Sequence, residues 1–187
     1  GISGNSNRAL QAAKGAYVAL LDHDDVLTED ALYWVVDALQ RERYDVVYSD
    51  EDRMAENGSH YLEPRFKPEF DIDLLRAYNY ISHLFVARRE LMLADGGFHS
   101  QYDGAQGYDM ILRCCEGNRE ICHIPRVLYH KRIHDGTSSE REAKHAQENL
   151  AGKEALEAHV SREHLLARVM MTDQRSVYTC LLYTSPS

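Results

Sequence analysis

Two short apolar segments, each followed at once by acidic residues, constrain the fold of this chain more than any other feature. The first, "YVALLDHDDVL", begins at Tyr17, and the second, "YDVVYSDED", begins at Tyr44. Each apolar run has the length of a buried strand. A helical pattern that Thr28 can cap lies between them, and its predicted inner face contains Leu32, Val35, Val36 and Leu39. This order predicts an α/β fold with a mostly parallel sheet flanked by helices.

The charge balance limits the partners of the chain. Its 187 residues include 30 acidic and 21 basic side chains, which give a formal net charge of -9, and the basic residues form no continuous stripe. We therefore expect no nucleic-acid partner. A phosphate-bearing ligand would need a bridging cation to bind so acidic a chain.

The residues Asp22 and Asp24 follow the first predicted strand directly. Residues two apart on an extended chain point to the same side, so these two carboxylates are expected to face one side together. A divalent cation such as Mg²⁺ relieves their repulsion, and ligands bind beyond the carboxyl ends of strands in open α/β sheets. The alternative is an exposed acidic turn in which Asp25 caps the following helix.

Several ordered motifs resemble the family 2 glycosyltransferases of bacteria, which build surface polysaccharides. They are "GISGNSNRAL", "AKGAYVALLDHDDVLTEDALY", "DVVYSDEDRM", "FKPEFDIDLLRAYNYISHLFVARREL", "GYDMILR" and "IPRVLYHKRIHDGTSS". The resemblance implies a GT-A (Rossmann-like) fold, a nucleotide-diphosphate sugar donor and Mg²⁺ or Mn²⁺. It also implies inverting transfer of the sugar to a hydroxyl of a glycan or lipid-linked acceptor.

By position, the resemblance assigns donor-binding roles to three residues. Asp24 matches the direct metal ligand, and Asp22 matches a ligand of the metal or of the nucleotide ribose. His134 matches a histidine near the donor diphosphate, and its alternative is a solvated histidine at a strand end. The metal fits this chemistry because a Lewis acid neutralises the diphosphate as it becomes the leaving group.

The position of the general base is occupied by a residue that cannot accept a proton. The family places an aspartate where this chain has Gly107, in the segment "DGAQGYDMILR". Catalysis then depends on a substitute, and Asp109 is the candidate, with Asp103 as a second one. Asp109 also has a structural interpretation, since it lies four residues before Arg113 and can pair with it on a helix surface.

Three segments are predicted along the chain. Residues 1–139 resemble part of a GT-A domain that lacks its first strand, residues 140–175 read as a helical extension, and residues 176–187 read as a non-native tail. The helix is expected to continue to about Val169.

The four cysteines form no CxxC pair, which favours a reducing compartment. We expect a cytoplasmic location, with peripheral attachment to the inner membrane face through regions outside this segment.

Two other functions are compatible with parts of the sequence. The first is a haloacid dehalogenase-like phosphatase with Asp22 as nucleophile and Asp24 as acid, although Lys67 is poorly placed for it. The second is a non-catalytic module that binds sugar nucleotides, which Gly107 supports.

Overall fold

The computed structural model describes residues 1–133 and 138–183, with side chains described for 1–133 and 145–183. The strands are β1 (Tyr17–Leu20), β2 (Val26–Leu27), β3 (Val46–Met54), β4 (Tyr61–Arg65), β5 (Phe85–Arg88), β6 (Ile121–Arg132), β7 (Ala167–Met171) and β8 (Tyr178–Leu182). The helices are α1 (Ile2–Ala12), α2 (Ala31–Arg41), α3 (Ile72–Ala77), α4 (Arg89–Leu93), α5 (Gln106–Cys114) and α6 (Ser138–Arg162). None of the described helices is long and apolar enough to cross a membrane.

The main sheet has the order β1-β5-β3-β6-β2, and β4 pairs with β3. The α/β prediction is confirmed, but the expectation of a mostly parallel sheet is wrong in its strand directions. Among the described pairings only β3 with β6 is parallel, because β5 inserts antiparallel between β1 and β3. An apolar run such as "FVAR" carries no information about strand direction, so the pattern could not reveal this.

The sheet separates two apolar clusters. Val46 and Tyr48 of β3 face the first cluster together with residues of α3, α5 and α6. Val47 faces the other side and packs with Val35 of α2. This alternation follows from the two-residue period of a strand. It explains why the apolar run of β3 is continuous, since helices cover both of its faces.

The predicted inner face of helix α2 is only partly confirmed, since Val35 is buried and Leu39 packs against the second cluster. Ala31, Val35 and Ala38 are buried, whereas Leu32 and Val36 are 63% and 50% exposed. Asp30, rather than Thr28, occupies the N-cap position. Apolar residues lie on both sides of this helix, so the sequence pattern alone could not select the inner face.

The helix predicted to reach about Val169 ends at Arg162. The N–H of Leu165 donates to the carbonyl of Val160 across 3.0 Å, and His164 has a φ of 54°. A six-to-one hydrogen bond over a left-handed residue is the Schellman arrangement that terminates helices. A hairpin of β7 and β8 follows, and Tyr178 of β8 lies in the first apolar cluster.

Candidate functional site

The acidic loop, residues 21–25, leaves the sheet at the carboxyl end of β1. The N–H of Asp25 donates to the carbonyl of Asp22 across 3.2 Å and closes a tight turn. This turn brings the side chains of Asp22 and Asp25 towards each other, with the Asp22 side chain 66% exposed. The acidic loop therefore presents carboxylates to solvent at the edge where α/β proteins bind ligands.

Three side chains converge at the acidic loop and form what we call the Asp22 cluster: Asp22, Asp25 and His83. One potential ligand atom from each lies within 4.8 Å of the others. The Nε2 atom of His83 is 3.7 Å from Oδ2 of Asp22. Asp22 was predicted as a ligand, but Asp25 was interpreted as a loop or capping residue and His83 was missed.

The strand register explains why His83 lies beside Asp22. β1 and β5 pair antiparallel, with Leu20 opposite Phe85. Continuing that register by two residues places His83 opposite Asp22. The signal was therefore present in the sequence, but it could be used only once β5 was known to be the antiparallel neighbour of β1.

The predicted ligand Asp24 lies in the same turn but outside the Asp22 cluster. Its carboxylate is 3.7 Å from Nδ1 of His23, and its side chain is 30% exposed. The carbonyl of Asp24 accepts a hydrogen bond of 2.7 Å from Nε of Arg132. The role predicted for Asp24 stays a prediction, as does that of His134, which lies outside the described residues.

His83 is held between two carboxylates. Its Nδ1 lies 3.2 Å from Oε2 of Glu51, and its Nε2 faces Asp22. Burial lowers the pKa of His83, but hydrogen bonding to Asp22 and Glu51 outweighs burial and raises it. The hydrogen bond with His83 in turn lowers the pKa of Asp22. The raised pKa favours the protonated imidazole, so His83 supplies positive charge between the two carboxylates, and a metal ion bound at Nε2 would displace its proton.

A buried ion pair supports His83 from beneath. The Nζ atom of Lys67 lies 3.1 Å from Oε2 of Glu51 and donates to the carbonyl of Ile81 across 2.7 Å. Burial raises the pKa of Glu51, but His83 and Lys67 together lower it to about 2. Lys67 is therefore committed to a structural contact, and this contact is incompatible with the catalytic lysine that the phosphatase alternative requires.

The second acidic strand end predicted from "YSDED" lies inside β3. Its carboxylates are buried and paired with basic side chains: Asp50 with His123 at 2.8 Å, Glu51 with Lys67 at 3.1 Å, and Asp52 with His130 at 2.6 Å. Except for Glu51, which contacts His83, these residues do not reach the Asp22 cluster through the contacts described. The resemblance between the two acidic segments in sequence therefore does not extend to their surroundings.

A pocket of about 250 Å³ joins the Asp22 cluster to the start of α5. Asp22, His83 and Gly107 all line it. A Cβ atom built on Gly107 would meet nothing within 4 Å. Gly107 therefore lines the pocket, and a Cβ atom at this position would lie in open space.

Asp109, the predicted catalytic residue, is fully buried. Its Oδ2 accepts hydrogen bonds of 3.0 and 2.9 Å from Nε and Nη2 of Arg113, and it lies 3.2 Å from Nδ1 of His99. Pairing with Arg113 was predicted, but the pair is buried and not on the surface. Asp109 is buried, its Oδ2 is paired with Arg113, and it is not among the residues that line the pocket, so its role as base stays a prediction.

Asp103, the second candidate for proton transfer, has different surroundings from Asp109. Asp103 binds the backbone N–H and the hydroxyl of Ser3 at the start of α1. Glu148 of α6 lines the pocket and accepts a hydrogen bond of 2.8 Å from Arg175. Glu148 is thus the carboxylate that shares this pocket with Asp22.

The fold and site define a GT-A-type α/β protein. S. aureus TarS superposes with a TM-score of 0.56 at 20% identity, covering 81% of this chain and 44% of that chain. A TarS structure in complex with UDP-GlcNAc gives a TM-score of 0.54 at 19% identity, covering 78% of this chain and 44% of that chain. At these identities the likeness shows the fold alone.

The chain belongs to glycosyl transferase family 2, whose model matches residues 1–94. An uncharacterized Sinorhizobium fredii protein, y4gI, is 43% identical over 84% of this chain and 18% of its own length. The O-antigen biosynthesis protein RfbC of Myxococcus xanthus is 37% identical over 88% of this chain and 13% of its own length. The chain thus spans less than a fifth of these relatives, and the phosphatase alternative is wrong.

Proposed function

We propose that this chain binds a nucleotide-diphosphate sugar together with Mn²⁺ or Mg²⁺ and transfers the sugar, with inversion, to a hydroxyl of a glycan or lipid-linked acceptor. The observation that carries the proposal is the Asp22 cluster, which lies at the carboxyl end of β1 in a family 2 glycosyltransferase. The names of the relatives support an acceptor from polysaccharide biosynthesis.

The ligand atoms present fit a divalent cation. Two carboxylates and one imidazole offer oxygen and nitrogen ligands within 4.8 Å of one another. Carboxylates suit Mg²⁺ and Mn²⁺, and the imidazole of His83 favours a transition metal, so we expect Mn²⁺ to bind more tightly than Mg²⁺. When bound, the metal would neutralise the diphosphate as it leaves. Asp24 and His134 remain proposed additional donor-site residues.

Basic side chains next to the Asp22 cluster support binding of an anionic donor. A cavity of about 640 Å³ shares Asp22 with the pocket described above, and Arg53, Lys131 and Arg132 also line it. Paired strand positions bring Arg53 and Lys131 side by side. These positive charges offset the acidic loop, so a diphosphate would meet mixed charge instead of carboxylates alone.

Sugar transfer also needs a proton acceptor near the acceptor hydroxyl. Gly107 lines the pocket without a side chain, and Asp109 is buried and paired with Arg113. We therefore propose that this chain binds its donor well and transfers the sugar slowly. If transfer is absent altogether, the chain is the sugar-nucleotide-binding module considered from the sequence.

The proposed location is the cytoplasm, at the inner face of the membrane. All four cysteines are free thiols, and Cys114 and Cys115 are buried and adjacent. Free thiols persist in a reducing compartment, which supports this location.

A calorimetric titration tests the donor assignment. UDP, GDP and dTDP are titrated into the chain with Mn²⁺ and again with EDTA, and Asp22→Asn serves as the matched variant. We expect one nucleotide to bind with Mn²⁺ and its affinity to fall at least about 10-fold with EDTA or with Asp22→Asn. Equal binding with and without the metal would contradict the proposed metal-assisted site.

A further inference from the structure

Tyr129 of β6 contacts every member of the Asp22 cluster. Its side chain is fully buried, and its sequence position is more than a hundred residues from the acidic loop. Its hydroxyl donates to Oδ2 of Asp25 across 2.6 Å and accepts from the backbone N–H of Asp22 across 3.2 Å. Its ring stacks on the imidazole of His83, with centroids 4.7 Å apart and planes 20° apart.

The hydroxyl fixes the acidic loop at two points. One hydrogen bond orients the carboxylate of Asp25, and the other holds the backbone where Asp22 begins. The second oxygen of Asp25 accepts a hydrogen bond of 2.8 Å from the N–H of Arg132. Each carboxylate oxygen keeps a second lone pair, so these contacts orient Asp25 without preventing it from binding a cation.

We propose that Tyr129 is the positioning residue of the metal site, holding Asp22, Asp25 and His83 in the arrangement that a divalent cation requires. This inference rests on the proposed function, since it concerns the same cation. Outer-shell groups that orient ligands typically change metal affinity by about 10–100-fold. The buried hydroxyl stays protonated, because burial and the hydrogen bond to Asp25 raise the pKa of Tyr129.

The fold supplies a matched control for the hydroxyl. Tyr48 of β3 is also fully buried, its hydroxyl donates to the carbonyl of Pro68 across 2.6 Å, and its ring stacks on His123 with centroids 5.0 Å apart. Tyr48→Phe thus removes a comparable buried hydrogen bond away from the Asp22 cluster. A difference in Mn²⁺ affinity between the two variants therefore reports the effect of the Tyr129 hydroxyl on the metal site, separate from the general cost of losing a buried hydrogen bond.

The test measures Mn²⁺ binding by the electron paramagnetic resonance signal of free Mn²⁺, without nucleotide, together with thermal unfolding. We expect Tyr129→Phe to weaken Mn²⁺ binding by about 10–100-fold and Tyr48→Phe to leave it unchanged. The melting temperatures of both variants should fall by similar amounts. In an Asp25→Ala background, Tyr129→Phe should have a much smaller effect, since the hydroxyl has lost its main acceptor.

The outcomes separate this inference from the proposed function. Wild-type Mn²⁺ affinity in folded Tyr129→Phe overturns the positioning role and leaves the metal site intact. Equal losses of Mn²⁺ affinity in the two tyrosine variants also overturn it, since they indicate general destabilisation. Absence of Mn²⁺ binding by the wild type overturns the metal assignment, and the positioning role with it. If Tyr129→Phe does not fold, the Mn²⁺ affinity of Asp25→Ala is the measurement. A loss of affinity equal to that of Asp22→Asn supports the role of Tyr129 through Asp25. Wild-type affinity overturns that role, because Tyr129 would then orient a carboxylate that the cation does not use.

Discussion

The acidic loop and the start of α5 both contain aspartates, but these lie in opposite environments. The Asp22 side chain is 66% exposed and faces a partly buried histidine, whereas Asp109 is fully buried between Arg113 and His99. One carboxylate can exchange its partner for a ligand, and the other has a permanent partner. A carboxylate alone therefore does not define a ligand site. It forms a structural ion pair where a buried basic side chain neutralises it, and it stays available to a ligand where no such side chain does.

The largest expected effect comes from giving α5 an open carboxylate like that of the acidic loop. Gly107→Asp adds a proton acceptor at a position where the Cβ meets only open space, so we expect the transfer rate to rise by about 10²–10⁴-fold. Sugar transfer from the donor identified by calorimetry is the measurement. Gly107→Asn is the control of equal size, and an equal gain with asparagine would rule out proton transfer as the cause.

Removing the buried carboxylate should damage the fold. Asp109→Ala leaves Arg113 as an unpaired buried charge, so we expect the free energy of unfolding to fall by about 3–5 kcal/mol. Urea denaturation measures it. The double variant Asp109→Leu, Arg113→Met removes both charges and should recover much of the loss. A loss below about 1 kcal/mol for Asp109→Ala would show that Arg113 finds another partner.

The same type of change in the acidic loop should affect binding and leave stability nearly unchanged. Asp22→Asn is expected to weaken Mn²⁺ binding by at least about 10-fold, while the free energy of unfolding changes by less than about 1 kcal/mol because the side chain is largely exposed. Asp24→Asn, measured in parallel, tests the ligand predicted from the sequence. A greater loss of Mn²⁺ affinity with Asp24→Asn than with Asp25→Ala would show that Asp24, and not Asp25, completes the site.

A smaller effect is expected at Glu116, a carboxylate between the two extremes. It pairs with Arg162 at 2.7 Å and with the buried His159 at 2.8 Å. Burial raises the pKa of Glu116, but these partners outweigh burial and lower it. A lowered folded-state pKa stabilises the fold above the unfolded pKa, and this contribution is lost as the pH falls through the folded value.

The measurement for Glu116 is urea denaturation from pH 7 down to pH 3. Glu116→Gln should lower the free energy of unfolding by about 1 kcal/mol at pH 7, and the difference from the wild type should shrink below about pH 4.5. A difference that stays constant over this range would mean that the ionised form of Glu116 does not contribute to stability.

The sequence predicted β1, β3 and the acidic end of β1, but it did not predict which strands are neighbours. β1 and β3 were identified because apolar runs of strand length are a local signal. The position of β5 between them depends on long-range pairing, and His83 was missed for that reason. The face of α2 was predicted only in part: Val35 is buried, but apolar residues such as Leu32 and Val36 remain exposed.

Within the candidate site, local sequence patterns identified the acidic loop and the glycine at the base position. They did not identify the residues from other segments that contact the site. Asp22 and Gly107 both line the pocket, since each is fixed by its place after a strand or at the start of a helix. Asp25 and Tyr129 could not be linked, because their hydrogen bond joins segments that the fold alone brings together. Burial of Asp109 likewise depends on tertiary packing, which a four-residue spacing to Arg113 does not indicate.

The assembly of the Asp22 cluster from separate strands couples cation binding to folding. Asp22 follows β1 and His83 precedes β5, and Tyr129, which holds them, lies in β6, so the cluster cannot exist in the unfolded chain. A ligand that binds only the folded state stabilises it by about 2.7 kcal/mol when present at a hundred times its Kd. A rise in melting temperature with Mn²⁺ would therefore report that these strands have assembled, even in a chain that transfers no sugar.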